Sequence, residues 1–342
     1  MSLIVTQTEI VSTGPETAVS PHAEVSALAA LDAAARDHVD GGRRANTVRA
    51  YASDRKKWNA YCAEFGIPET TLSVGTAVGF VEWLIEQQAA PRTIERRVSG
   101  ARKSLREDGV DDLDADDRAV VAERLRQYKR ALAETGERRG RGQARAITVA
   151  ELRKMSLALP DTLLGLRDRA LLLVGFAMAA RRAELAGLWA ADVELCDEGL
   201  CLTLRTSKTS DEDVEVAVPY GTSEVTCPVR AWQAYRNAVE QALGHELDGK
   251  AFRRIDRHGR VLDGMSAQGV GIAVTRAAEK AGLPEVTAHG LRAGLATEAR
   301  RAGHDVTTIA QQGRWSPSGA AIHGYMRVVD QWSDNAVRGI GL

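Results

Sequence analysis

Apolar positions recur at helical spacing along most of the chain. The first twenty or so residues interleave Thr, Ser, Pro and Glu with no sustained period, which predicts a flexible tail over residues 1–22. One helix is expected from about Ala23. The next, Ala45 to Phe65, sets Val48, Tyr51, Ala52, Trp58 and Cys62 on one face. A third, Val74 to Gln88, carries Phe80, Val81, Trp83 and Leu84 as its apolar content. A fourth opens at Pro91, a residue suited to a first helical turn, and places Ile94, Val98, Ala101 and Leu105 at spacings of four, three and four. A fifth, near Arg118 to Ala133, follows an acidic turn. Gly and Arg then alternate from Gly136 to Arg145, a composition that predicts an exposed linker. Residues 136–146 are therefore assigned as the connection between a domain of residues 23–135 and one of residues 147–342. In the second domain an apolar helix is expected over Ala170 to Ala180, and Leu200 to Arg205 and Val214 to Val218 read as two strands of a small sheet. Helices resume at Pro228 and run to the C-terminus. The predicted class is mainly α, with a small β-sheet in the C-terminal domain.

Composition narrows the picture only a little. The 342 residues, 44% of them apolar, are more than one core normally holds, in keeping with two domains. Lys and Arg number 45 against 46 Asp and Glu, so the total charge gives no hint of a nucleic-acid partner. Cys62, Cys196, Cys201 and Cys227 form no metal-binding spacing and are expected to be reduced core thiols. The longest apolar stretch, about eleven residues, is too short to cross a bilayer, and the expected setting is soluble and cytoplasmic. Asp112, Asp114, Asp116 and Glu123 imitate a calcium loop but have Asp117 where that loop needs Gly, so no metal site is assigned.

Local charge is more telling. Arg43, Arg44, Arg49 and Lys56 lie on or just before the second helix, Arg92, Arg96 and Lys103 on the fourth, and Arg138, Arg139 and Arg141 in the linker. On the fourth helix Ser99 and Gly100 share the face of Arg96 and Lys103, small residues that allow close approach to a polyanion. These ten cations are the candidate DNA contacts.

Four boxes suit phosphodiester transfer, which needs permanently charged forks for phosphate oxygens, a nucleophile and an acid. Arg181 is followed three residues later by Glu184. His289 and Arg292 stand three apart at a helix start and so point to one side. Gly313-Arg314-Trp315 is followed, ten positions after the Trp, by Tyr325, the only tyrosine in the last hundred or so residues. Singly, each has a bland explanation as a surface pair, a cap or a core aromatic.

Taken in order, Ala180-Arg181-Arg182-Ala183-Glu184-Leu185, His289-Gly290-Leu291-Arg292, Gly313-Arg314-Trp315 and Gly324-Tyr325 resemble the tyrosine recombinase (phage integrase) family, and Lys208 in Leu204–Thr209 matches its turn-borne lysine. Within the family the likeness is to Cre-like recombinases, which Trp315 in place of histidine and the run from Asn46 to Cys62 also resemble. The Trp315-to-Tyr325 gap looks one residue longer than usual, which leaves the helix phase of Tyr325 open. The resemblance implies a two-domain C-shaped clamp on DNA, with a SAM-like N-terminal core-binding domain. It implies that Tyr325 attacks phosphorus, that Arg181, Arg292, His289 and Trp315 cage the phosphate, that Lys208 protonates the leaving oxygen, and that Glu184 orients the site. No cofactor is implied. The partners implied are double-stranded DNA target sites and three further copies of the chain, which forms a tetramer on DNA and is a monomer when free. Strands would be exchanged in pairs through a Holliday junction. Two other readings are a DNA-binding regulator that no longer cuts and a type IB topoisomerase, which would relax any supercoiled plasmid.

Overall fold

The computed structural model describes residues 45–140, 142–205, 213–283, 285–333, 335 and 337. The expected tail and first helix, together with Arg43, Arg44, Arg141 and Lys208, lie outside the described residues. The chain divides into two units, Met1–Gly140 and Arg141–Leu342.

In the first unit the described helices are α1 (Ala45–Phe65), α2 (Val74–Glu86), α3 (Pro91–Glu107) and α4 (Ala115–Glu134). Ser73 and Thr76 form a capping box at the start of α2, Pro91 occupies the first turn of α3, and Asp114 caps α4 through the Asp117 N–H. Trp58, Tyr61 and Cys62 of α1 pack with Phe80, Val81, Trp83 and Leu84 of α2, Ile94, Ala101 and Leu105 of α3, and Leu125 and Tyr128 of α4. The inward face of α1 differs from the expected one. Val48 and Ala52 are exposed, whereas Asp54 is buried, because an ion pair to Arg96 at 2.6 Å lets a carboxylate take an inward position that an apolar period does not reveal. Gly100 likewise faces inward. A Cβ there would lie 2.4 Å from an Asp54 carboxylate oxygen, so its small size serves the α1–α3 contact rather than the outer face.

The second unit holds α5 (Val149–Leu157), α6 (Leu163–Ala177), α7 (Arg182–Gly187), β1 (Val193–Cys196), β2 (Gly199–Leu204), β3 (Val214–Pro219), α8 (Pro228–Leu243), β4 (Arg253–Ile255), β5 (Val261–Gly264), α9 (Ala267–Lys280), α10 (His289–Arg301), α11 (Val306–Gly313) and α12 (Ala320–Ser333). Strands β1, β2 and β3 form an antiparallel sheet in that order, with Leu200 opposite Val218 and Leu202 opposite Val216. The β4–β5 hairpin interrupts the helical run expected after Pro228. Its charged Arg253 and Arg254 and its short length left no alternating apolar signal. Helix α6 is buried from Ala170 to Phe176 and packs against α8 and α10. It ends three residues earlier than expected: Met178, Ala179 and Ala180 stay buried but form a turn, with Ala179 left-handed at φ 46°. Burial persisted where the helix did not.

Helices α10, α11 and α12 share a smaller core of Ala293, Ala296, Ile309, Ala310, Ile322, Tyr325 and Met326. All four cysteines are free; Cys62 and Cys227 are buried, but Cys201 is exposed on the outward side of β2, against the expectation of a core thiol. No helix among the described residues is long and apolar enough to cross a membrane.

Gly294 sets how closely α10 lies against the start of the unit: a Cβ there would come within 2.2 Å of the Ile147 carbonyl oxygen and 2.7 Å of the Phe176 ring. Because backbone cannot yield as a side-chain end can, Gly294→Ala is expected to destabilise the protein by about 1–3 kcal/mol. Urea denaturation checks this, and an unchanged midpoint would show that the helix can move away at no cost.

Candidate active site

The turn after α6 delivers the first box. Arg181 stands at the N-cap of α7, where Glu184 Oε2 accepts its backbone N–H at 2.8 Å and Glu184 Oε1 accepts from Arg181 Nη1 at 2.6 Å. The Arg-x-x-Glu spacing is thus a reciprocal helix start that holds a guanidinium. Arg292 enters from the first turn of α10 and is buried, 2% exposed. Its Nη1 donates to the Ala179 carbonyl at 2.6 Å, and the Trp315 ring stacks on its guanidinium at 4.0 Å. Its Nη2 is buried and has no hydrogen-bond partner among the described residues.

Tyr325 comes from α12. Its hydroxyl lies 2.6 Å from His289 Nε2, and its ring lies 5.9 Å from that of Trp315. Thr297 of α10 donates to the Tyr325 carbonyl at 3.2 Å and Arg300 pairs with Asp330 at 2.6 Å, contacts that fix the phase of α12 despite the long gap after Trp315. Gly313 permits the indole to fold back, since a Cβ there would fall 1.8 Å from a ring carbon. Arg181, Glu184, His289, Arg292, Trp315 and Tyr325 are therefore gathered in one place, and Lys208 lies outside the described residues.

Sequence reasoning gave Arg314 no role. Its Nη2 donates to Glu184 Oε2 at 2.7 Å and its Nη1 to the Met178 carbonyl at 2.9 Å, so Glu184 is shared by two guanidiniums. It closes α11 in the left-handed region at φ 56°, ψ 50°, which costs a residue with a Cβ about 1–2 kcal/mol. The available signal was a bulky cation at the end of a helix, where the backbone favours glycine.

Electrostatics sets the protonation states. Burial pushes the Tyr325 phenol above its usual pKa, although Arg292 and Arg181 pull the other way. His289 keeps an outer edge open to solvent, yet the protein on its inner side, then Arg292, Arg181 and Arg182, lower its pKa. Burial, reinforced by Arg181, brings Arg292 down to about 9. Burial favours the neutral form of Glu184, but Arg314 and the bonds from Arg181 outweigh it and hold the carboxyl below its ordinary range. The result is a neutral phenol, a neutral imidazole beside it and cations that an incoming anion would stabilise.

Among the candidate DNA contacts, Arg49, Lys56, Arg92 and Arg138 are exposed. Arg96 pairs with Asp54, and Lys103 pairs with Glu107 at 3.6 Å while lying over the Tyr51 ring at 5.7 Å. Arg139 is engaged internally, donating to the Tyr128 hydroxyl at 2.8 Å and the Ile85 carbonyl at 3.3 Å.

The profile of the phage integrase family matches residues 145–331, more than half of the chain. An integrase/recombinase XerD homologue from Selenomonas ruminantium is 27% identical over 317 residues, spanning 90% of this chain and 89% of its own. The tyrosine recombinase XerD of Listeria monocytogenes is 24% identical, over 80% of this chain and 85% of its own. Of solved structures, the integrase of transposon Tn1549 in complex with transposon right-end DNA aligns with a TM-score of 0.56 at 14% identity, covering 86% of this chain and 92% of that one. The XerH site-specific recombinase bound to its palindromic difH substrate aligns at 0.55 and 13% identity, covering 83% and 78%. At these identities the structural likeness speaks for the fold.

The His289 environment is directly measurable. Its imidazole is expected to titrate below pH 6.5 in an NMR titration, and Arg181→Gln should move the midpoint up by removing one repelling charge. A wild-type midpoint at or above 6.5 would contradict the described surroundings.

Proposed function

The chain belongs to the phage integrase (tyrosine recombinase) family, whose members are DNA strand-transferring enzymes, and from that premise we propose that it recombines DNA at specific sites through a covalent bond to Tyr325. The observation that carries this reading is the Tyr325 hydroxyl, 2.6 Å from His289 Nε2 and electrostatically coupled to both Arg292 and Arg181. In the proposed step the Tyr325 oxygen attacks the scissile phosphorus and His289 takes the phenolic proton. The bond from phosphorus to the 5′-oxygen breaks, that oxygen takes a proton from Lys208, and a 3′-phosphotyrosyl bond remains. Arg181 and Arg292 grip the non-bridging oxygens, to which the buried, unpartnered Nη2 of Arg292 can donate. Trp315 holds the Arg292 plane, and Glu184 orients Arg181. The role of Lys208 rests on the family resemblance alone.

Resealing reverses the step with the 5′-hydroxyl of a partner strand. Because the phosphotyrosyl bond conserves the energy of the phosphodiester, the proposed cycle calls on neither a nucleotide nor a metal cofactor. The reading extends to a chain that is monomeric when free and tetrameric on paired double-stranded target sites, exchanging strands through a Holliday junction in the nucleoid. Trp332 at the end of α12, 74% exposed, offers apolar surface to a neighbouring copy. Residues 23–135 would bind DNA through Arg43, Arg44, Arg49, Lys56, Arg92, Arg96 and Lys103, with Arg138, Arg139 and Arg141 of the linker. In that event a phosphate would replace the surface carboxylate of Glu107 that now pairs with Lys103, and would add to the buried Asp54 that pairs with Arg96.

A duplex selected from random-sequence DNA by the wild-type chain provides the test. Wild type is expected to leave a covalent adduct on a denaturing gel and Tyr325→Phe none; adduct retained by the variant would discard the nucleophile. His289 accepts a proton only when neutral, and its pKa is depressed. The single-turnover rate should therefore fall to half only at a pH below 6.5, as the imidazole charges. A rate that rises on acidification would remove His289 from the proton transfer.

A further inference from the structure

We propose that Arg314 is a positioning residue for strand cleavage: it neutralises Glu184, so that Arg181 keeps its own charge for the scissile phosphate. The inference rests on the reading that Arg181 grips that phosphate. It concerns a residue with no assigned role, in the box that also supplies Trp315.

The geometry that points to this role is a chain of three charged groups. Glu184 Oε1 accepts from Arg181 Nη1 at 2.6 Å, while Glu184 Oε2 accepts from the Arg181 backbone N–H at 2.8 Å and from Arg314 Nη2 at 2.7 Å. Two guanidiniums and one carboxylate leave one net positive charge. Without Arg314 the Arg181–Glu184 pair would be neutral, and a phosphate would have to compete with a buried carboxylate for Arg181. The burial is graded in the same sense: the side chains of Glu184 and Arg314 are 7% and 8% exposed, whereas that of Arg181 is 27% exposed. A closed, compensated pair thus lies behind a cation that solvent and ligand can reach.

A second observation is independent of the first. Residue 314 is left-handed at φ 56°, ψ 50°, a conformation that glycine adopts without steric cost. A side chain kept there against the backbone preference makes contacts that glycine cannot make. One of them is structural: Nη1 donates to the Met178 carbonyl at 2.9 Å, in the turn that leads to Arg181. A purely structural Arg314 would steady that turn whatever the charge of the substrate. A charge-positioning Arg314 matters only when the substrate is an anion, and this difference separates the two.

The test compares full-length wild type, Arg314→Gly, Arg314→Lys and Arg181→Gln on the selected duplex. Each is given an ordinary phosphate at the scissile position and, separately, an uncharged methylphosphonate. Single-turnover adduct formation is measured, with duplex affinity followed by fluorescence anisotropy. Arg314→Gly relieves the left-handed strain, which guards against loss of folding, and Arg314→Lys retains the charge. Relative to wild type on the same DNA, Arg314→Gly is expected to form adduct about 10- to 100-fold more slowly on phosphate. It should approach the wild-type rate on methylphosphonate, bind the duplex unchanged, and exceed neither the rate nor the charge selectivity of Arg314→Lys on phosphate. Equal losses on the two substrates, or no loss on either, would overturn the proposal. Arg181→Gln separates this failure from that of the underlying reading. If Arg181→Gln is restored on methylphosphonate and Arg314→Gly is not, only the inference falls; if Arg181→Gln is not restored, the grip of Arg181 on the phosphate falls and the inference with it.

Discussion

Arg292 carries a full charge into the protein interior, and an uncompensated charge there would cost several kcal/mol. Its partners come from different parts of the second unit. The Ala179 carbonyl accepts from Nη1 at 2.6 Å, and the Trp315 indole covers the guanidinium at 4.0 Å. The carbonyl is available because α6 stops at Ala177 and the chain turns through a left-handed Ala179. That same turn places Arg181 at the start of α7. Holding one cation therefore brings the end of α6, the start of α10 and the residues after α11 into one place, and the rest of the site follows from where those elements meet.

The protonation states follow from the same burial. Water withdrawn from Arg292 is also withdrawn from Tyr325, whose phenol stays protonated more readily, while His289, beside Arg292 and Arg181, stays neutral. A protonated phenol 2.6 Å from a neutral imidazole is a donor facing an acceptor when the imidazole carries its proton on Nδ1, and the cations that depress the imidazole also favour the phenolate. Arrangement and acidity are thus two consequences of one desolvated cluster.

The pattern of apolar positions made the helices of the first unit legible, most plainly α3 with its apolar spacings of four, three and four, and the β2 and β3 strands stood out by alternation. The ordered boxes made Arg181, Glu184, His289, Arg292, Trp315 and Tyr325 legible as a set, and the structure gathers them. Three things were hidden for physical reasons. A buried carboxylate such as Asp54 breaks no helical period, so the face of α1 was misplaced. The turn after Ala177 is as buried as the helix before it, so hydropathy could not locate the end of α6. Arg314 acts through a left-handed backbone and a partner 130 residues away in the chain, neither of which spacing can express.

Charge shows the same limit from the other side. A net charge of -1 says nothing about partners because ion pairs balance locally: Arg124 and Glu82, and Lys129 and Glu95, are matched one to one within the first unit. A surface pair of this kind is worth little and is easily exchanged, so a basic stripe in the sequence can be electrically quiet in the fold. The second unit holds the contrary case. Around Glu184, Arg181 and Arg314 compete for one carboxylate, and Arg292 next to them has Trp315 and a carbonyl in place of an acid. Such an excess of positive charge is unfavourable for the isolated protein, and at Arg292 it adds to the burial that already lowers the pKa. Folding alone would favour matching each cation with an acid, so under the proposed function the mismatch is where the scissile phosphate would complete the structure, beside the phenol of Tyr325.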